Sequence, residues 1–183
     1  MKISYAITVC NELEEIQRLV PFLKENKRHN DEVVILYDHK NGDEEVAKYT
    51  DLISMSPKLS SSTPWAANLK DSGVEYNEKW AEKHEKLRRN ISTIQSFIDG
   101  RKHFENDFQL KFVIAQEQDI EEIESILSEL TGWEPSDICL MPEGVDVDTL
   151  NKRTGWVAEQ ALIRGWRFTP RLHVMMFGKN RFV

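Results

Sequence analysis

The chain has 183 residues, 40% hydrophobic and 30% charged, with a formal net charge of -7. Such a balance suits a globular protein of one domain, or a domain and a fragment, and its acidity argues against a general nucleic-acid binder, which needs clustered Lys and Arg. No apolar run reaches the roughly 20 residues of a membrane helix and no signal peptide follows Met1, so the sequence predicts a soluble, cytoplasmic protein with no membrane partner.

In chain order, Lys2 to Val9 reads as a strand. Asn11 follows as a helix cap, and Leu13, Ile16, Leu19, Val20 and Leu23 form a helical stripe that Pro21 should kink or end early. Glu32 to Asp38, "EVVILYD", is apolar throughout, as a strand buried on both faces would be. Lys40 to Asp43 reads as a turn, and Asp51 to Met55 as a short strand. Pro57 to Gly73 reads as a long polar loop, with Ser60 to Thr63 a flexible hydroxyl run. One long helix is expected over Asn77 to Asp99, with Trp80, His84, Leu87, Ile91, Ile94 and Ile98 on one face.

Phe108 to Ala115, "FQLKFVIA", should be a strand, and Asp119 should cap a helix striped by Ile120, Ile123, Ile126, Leu127 and Leu130. Ile138 to Met141 reads as a strand. Asp146 or Asp148 then caps a helix that runs to Arg164 and ends at Gly165. Arg167 to Thr169 and Leu172 to Phe177 read as a last extended stretch. Strands alternating with helices predict an α/β protein with a mainly parallel sheet. Ligands of such sheets sit at the carboxyl ends of strands, which directs attention to Cys10-Asn11-Glu12, Asp38-His39, Ser56-Pro57-Lys58, Gln116-Glu117 and Pro142-Glu143-Gly144.

Among these, Ser56-Pro57-Lys58 carries the most chemistry. Proline restricts Ser56 to extended backbone, and a lysine and a hydroxyl at a strand end can meet a ligand carboxylate. Arg167, Arg171, His173, Lys179 and Arg181 gather near the terminus, where His173 could bind a planar heterocycle if this end joins the sheet. Asp146-Val147-Asp148 resembles a metal-binding D-x-D, but helix capping accounts for both carboxylates. Cys10 and Cys139 have no zinc or iron–sulfur spacing, and His29, His39, His84 and His103 form no ligand pair, so no metal site is expected.

The stretches "DLISMSPKLSSSTP", "FQLKFVIA", "CLMPEG", "GWRFTPRLHV" and "GKNRFV" stand in the order and spacing of the later part of 7-carboxy-7-deazaguanine synthase. Residues 45–183 resemble that radical S-adenosylmethionine family of queuosine and deazapurine synthesis. The resemblance implies a partial α/β barrel and a homodimer. It implies S-adenosylmethionine contacts at Ser56, Pro57, Lys58, Met141, Pro142, Glu143 and Gly144. A pterin-like substrate would meet His173, the Val183 carboxylate and Arg181. It also implies a [4Fe–4S] cluster, magnesium, and ring contraction with loss of ammonia. The family's three-cysteine loop and the glycine-rich segment after it do not occur in this sequence, so an inactive or impaired protein is expected, or a non-catalytic remnant that binds S-adenosylmethionine or dimerises.

Residues 1–44 resemble something else. "ISYAITVCNELEEIQRLVPFL" and "DEVVILYD" are similar to the start of a family-two glycosyltransferase, a β-α-β unit in which Thr8, Asn11, Glu12 and Asp38 would lie at the nucleotide. The two resemblances meet between Asn41 and Glu45. "EVVILYD" could take the place of a synthase strand and continue one parallel sheet through a right-handed crossover.

Overall fold

The structure is a computed structural model that describes residues 4–9, 18–19, 21–22, 25–26, 32–37, 51–69 and 75–178, without the side chains at 4–9, 32–37, 102 and 104. The described chain is α/β. Its strands are β1 (Ser4–Val9), β2 (Glu32–Tyr37), β3 (Leu52–Met55), β4 (Asp107–Ile114), β5 (Ile138–Pro142) and β6 (Arg167–Phe168). Its helices are α1 (Glu78–Arg88), α2 (Ile91–Phe104), α3 (Gln118–Ser128), α4 (Val147–Arg164) and α5 (Leu172–Phe177). Each strand neighbours the next in sequence, β1 to β6, and β1–β2, β2–β3, β3–β4 and β5–β6 pair in parallel. The expected parallel α/β architecture is therefore present. The chain clusters into two compact units.

The first unit holds residues 1–56, 90–110 and 130–133. β1 and β2 run in register from Ser4 against Glu32 to Val9 against Tyr37, and β3 adds Leu52 opposite Val34. Ile53, Met55, Ile94, Phe97, Ile98, Phe108, Leu110 and Leu130 are buried there. Ser54, also buried, accepts a hydrogen bond at Oγ from Gln109 Nε2 at 2.8 Å, so two polar groups of neighbouring strands satisfy each other. Helical backbone occurs at Arg18 and Leu19, and again at Pro21, Phe22, Glu25 and Asn26. Leu19 and Phe22 are exposed. Asn11, Glu12, Asp38, the 40–43 turn and the 44/45 boundary lie outside the described residues, as does Cys10.

The second unit holds residues 57–89, 111–129 and 134–183. Its strands are the second half of β4, β5 and β6, with α4 packed against β5 and β6. β4 alternates strictly: Phe108, Leu110, Phe112 and Ile114 are buried, while Gln109, Lys111 and Val113 are half-buried. That is the two-residue period of a strand with one face in the core. Ile120, Ile123, Ile126 and Leu127 on α3, with Leu150, Val157 and Ala161 on α4, are buried as their helical spacing requires.

Four expectations are corrected. The long helix over Asn77 to Asp99 is two helices, because Arg89 leaves helical geometry (φ -107°, ψ 75°) and Asn90 starts a new helix by accepting from the Thr93 amide at 3.3 Å. Asparagine competes poorly inside a helix and well at its start. Asp119 is not a cap. It sits inside the first turn of α3, and its Oδ2 accepts the Ala115 and Gln116 amides at 2.7 and 3.2 Å, closing the exit of β4. Leu172 to Phe177 is helical rather than extended. Pro170, without an N–H, cannot extend the sheet, and the Val174 and Met175 amides turn back to the Arg171 carbonyl at 3.1 Å. Ser60 to Ser62 is an ordered 3-10 turn rather than a flexible run. At α4 the sequence reading holds: Asp146 is the cap, accepting from the Thr149 amide at 2.8 Å, and Gly165 ends the helix at φ 67°.

Candidate ligand site

The site lies in the second unit, at the segment that leaves β3. Pro57 is buried and Lys58 exposed, and Leu59 is only 2% exposed, so this backbone is anchored on both sides of a free lysine side chain. Ser56, half-buried, closes the first unit's segment. Glu122 of α3 holds the next turn: its Oε2 accepts the Ser60 amide at 2.8 Å and the Ser60 hydroxyl at 2.6 Å. Its Oε1 pairs with Arg88 at the end of α1, which also donates to Glu85 Oε1 at 2.5 Å and to the Lys58 carbonyl at 3.5 Å. Thr63, fully buried, donates to Glu85 Oε2 at 2.7 Å.

This network runs on charge. Burial opposes the Glu122 charge, but the bonds from Ser60 and the pairing with Arg88 outweigh it and hold its carboxyl below the usual range. Glu85 is also held low, first by its bond from Arg88. Arg88 is raised by its bond to Glu85, against burial. The Pro57–Thr63 segment is thus fixed by two carboxylates and one guanidinium that the sequence reading did not single out. Glu85 and Arg88 stand three apart on one helix face, which was legible; the partner Glu122, 34 residues further on, was not.

Beyond the anchored loop, β4 carries a half-buried lysine, Lys111. Lys111 projects from β4 on the face opposite Phe112. Cys139 of β5 acts on it, and Cys139 stands in register with Arg167 of β6. Burial is the first cause pulling the Lys111 ammonium below its usual range, and the nearby charges of Lys58 and Arg171 pull it further. Burial pushes the Cys139 thiol up, against Arg167 and Lys111. Arg171 Nη1 donates to the Gly144 carbonyl at 2.8 Å, while its Nε is buried with no hydrogen-bond partner.

The β5 exit completes the arrangement. The Glu143 amide donates to the Ile114 carbonyl at 2.8 Å, and its carboxylate pairs with Arg153. At Gly144 a Cβ would meet Leu150 Cδ2 at 2.9 Å, so α4 lies against a position that has room only for hydrogen. Met141 is half-buried and Pro142 buried. Of the expected residues, Gly144 is bonded to Arg171, and Lys58 acts by charge on Lys111, which was quoted within "FQLKFVIA" but not assigned a role.

Elsewhere the sequence expectations are placed differently. His173 is exposed on α5 and is not part of a strand. Arg181 and Val183 lie outside the described residues, as does Lys179. Thr8 is in β1, opposite Leu36, and its side chain is not described. Asp146 caps α4 with its side chain, and among the described residues no group of three His, Cys, Asp or Glu could hold a metal ion.

Parallel strands alternating with helices define an α/β protein, and the candidate ligand segments follow the carboxyl ends of its strands. Over 132 residues, 69% of its length, the chain is 39% identical to the 7-carboxy-7-deazaguanine synthase of Halobacterium salinarum, covering 48% of that protein. It is 30% identical over 131 residues to the protein of that name from Rhodopirellula baltica, with 72% of this chain and 46% of the relative covered. The chain therefore spans about half the length of the curated relatives it matches. No family model matches, so the glycosyltransferase resemblance of residues 1–44 gains no support. No solved structure matches either.

Proposed function

We propose that this chain is a 7-carboxy-7-deazaguanine synthase-like protein of deazapurine and queuosine synthesis that holds S-adenosylmethionine and, alone, does not start the radical reaction. The observation that carries the reading is the buried, unbonded Nε of Arg171, with Lys58 on its anchored segment and Arg171 both acting by charge on Lys111. An orphaned buried donor beside further cations fits the carboxylate of an amino-acid-bearing cofactor. Lys58, Lys111 and Arg171 would hold that carboxylate, while Glu122 and Arg88 keep the Lys58 backbone in place. On one-electron reduction, S-adenosylmethionine supplies a group that abstracts a hydrogen atom from substrate.

The [4Fe–4S] cluster of the resemblance does not fit this chain. Two cysteines are fewer than the three thiolates required, and Cys139 is buried with its thiol pushed up, the opposite of a ligand thiolate. The chain's own residues therefore bind, orient and screen, and the electron must come from elsewhere. Calorimetry with S-adenosylmethionine tests the reading. We expect saturable binding that weakens about tenfold in Lys58→Ala, the loss of one charge-assisted contact. No detectable binding by the folded wild-type chain would sink it. Anaerobic iron–sulfur reconstitution should give no cluster spectrum, and a normal one would overturn the inactivity.

A further inference from the structure

We propose that His84 is a proton switch for the loop that carries Lys58: with its ring protonated it locks the Thr63 hydroxyl onto Glu85, and on losing that proton it lets the hydroxyl turn away. The switch concerns the order of the loop and does not depend on which ligand Lys58 meets.

Thr63 is the hub of this loop. It is fully buried, its amide donates to the Ser60 carbonyl at 3.0 Å, and its carbonyl accepts from the Trp65 amide and from Asn68 Nδ2, each at 2.7 Å. Its hydroxyl meets two successive residues of α1: it donates to Glu85 Oε2 at 2.7 Å and stands 3.2 Å from His84 Nδ1. A hydroxyl has a single proton to give. While that proton is on Glu85, the bond to His84 requires a proton on Nδ1. The imidazolium always carries one there, so it permits only this arrangement. A neutral ring permits two, because a bare Nδ1 accepts the Thr63 proton and leaves Glu85 Oε2 without it. Protonation therefore fixes one direction for the bonds through Thr63, and deprotonation sets two directions in competition.

Charge favours the same protonated arrangement. The charged groups that the described residues bring to this cluster are Glu85 and Arg88 from α1 and Glu122 from α3, while the loop adds the Ser60 hydroxyl and the exposed Lys58. Arg88 pairs with both carboxylates, which leaves one negative charge in excess. A proton on half-buried His84 balances it. Both carboxylates are held below the usual range, so they stay charged between about pH 5.5 and 8, the interval in which imidazole changes charge. The loop is thus tightest on the acid side of that interval and loosens as the pH rises through it.

The test follows amide hydrogen exchange of the full chain at about pH 5.5 and about pH 8, expressed as protection factors so that the intrinsic pH dependence of exchange cancels. The Trp65 amide, bonded to the Thr63 carbonyl, should lose protection about tenfold at the higher pH, the worth of a single hydrogen bond. The Phe112 and Ile114 amides of β4 should not change between the two conditions. His84→Gln offers Thr63 an amide N–H that does not titrate, so its Trp65 protection should be the same at both. Thr63→Ser keeps the hydroxyl and should keep the response, and Thr63→Val should abolish it. Equal Trp65 protection at the two pH values in the wild-type chain overturns the switch. So does a response that survives in His84→Gln or Thr63→Val, or an equal loss at Phe112 and Ile114, which marks global rather than local opening.

Discussion

Arg88→Met isolates the network that anchors the Lys58 segment. Arg88 and Glu122 have side chains only 10% and 13% exposed, so their charges are largely withdrawn from water. Removing one partner of such a pair costs about 3–5 kcal/mol, because the other is left buried and uncompensated. Glu122 keeps its bonds from the Ser60 amide and hydroxyl, and Glu85, at 36% exposure, is partly rescued by solvent. The expected loss is therefore at the lower end, about 3 kcal/mol. Arg88→Met/Glu122→Leu removes both charges and should recover about 1–2 kcal/mol of it, since a buried pair replaced by apolar groups is often neutral. Urea denaturation at neutral pH, followed by tryptophan fluorescence and far-ultraviolet circular dichroism, reads both values. A single-mutant loss below about 1 kcal/mol with no coupling would put Arg88 among ordinary surface ion pairs and refute the anchoring argument.

Acid should act through the same groups. Glu85 and Glu122 have folded-state carboxyls held below the usual range, so their stabilisation is present above it and lost as pH falls through the folded values; in Glu122→Gln the acid limb below about pH 4 should be shallower. Gly155 and Gly165 form an opposed pair: Gly155→Ala, with open space around its Cβ in mid-helix, should stabilise by up to about 1 kcal/mol, while Gly165→Ala, at φ 67°, should destabilise by about 1 kcal/mol. Thermal melts of both variants check the signs. Gly144→Ala should lose about 1–3 kcal/mol through contact with Leu150, and an unchanged urea midpoint would contradict the close approach. Asp119→Ala should cost about 1–2 kcal/mol by releasing the Ala115 and Gln116 amides, with faster hydrogen exchange at those two positions as its local sign.

The fold was legible where the signal was local. "FQLKFVIA" alternates along its length, and Asp146 with Gly165 marks both ends of α4 from residue type alone. It was illegible where a distant partner decided the outcome. Apolar residues at steps of three and four carried the helical reading straight through Asn90, because periodicity does not register that the backbone turns there to use an asparagine side chain. Leu172 to Phe177 has no strand alternation, yet its apolar content and its place after β6 suggested one; the proline before it settles the matter. At the site, Lys58 followed from its motif. Arg171 stood among the C-terminal cations, but its bond to Gly144 and the role of Glu122 required tertiary contacts, and Lys111 was visible only as a charge inside an apolar run.

Gly144 reaches beyond its own packing. Because α4 presses on the hydrogen of this one residue, and the carbonyl of the same residue holds Arg171, the steric requirement of the fold and the orientation of that arginine are inherited together. Packing alone favours keeping this glycine, because any larger residue meets Leu150. The carbonyl that orients Arg171 then persists with it, so a constraint on helix packing also fixes the direction of a guanidinium 27 residues further along the chain.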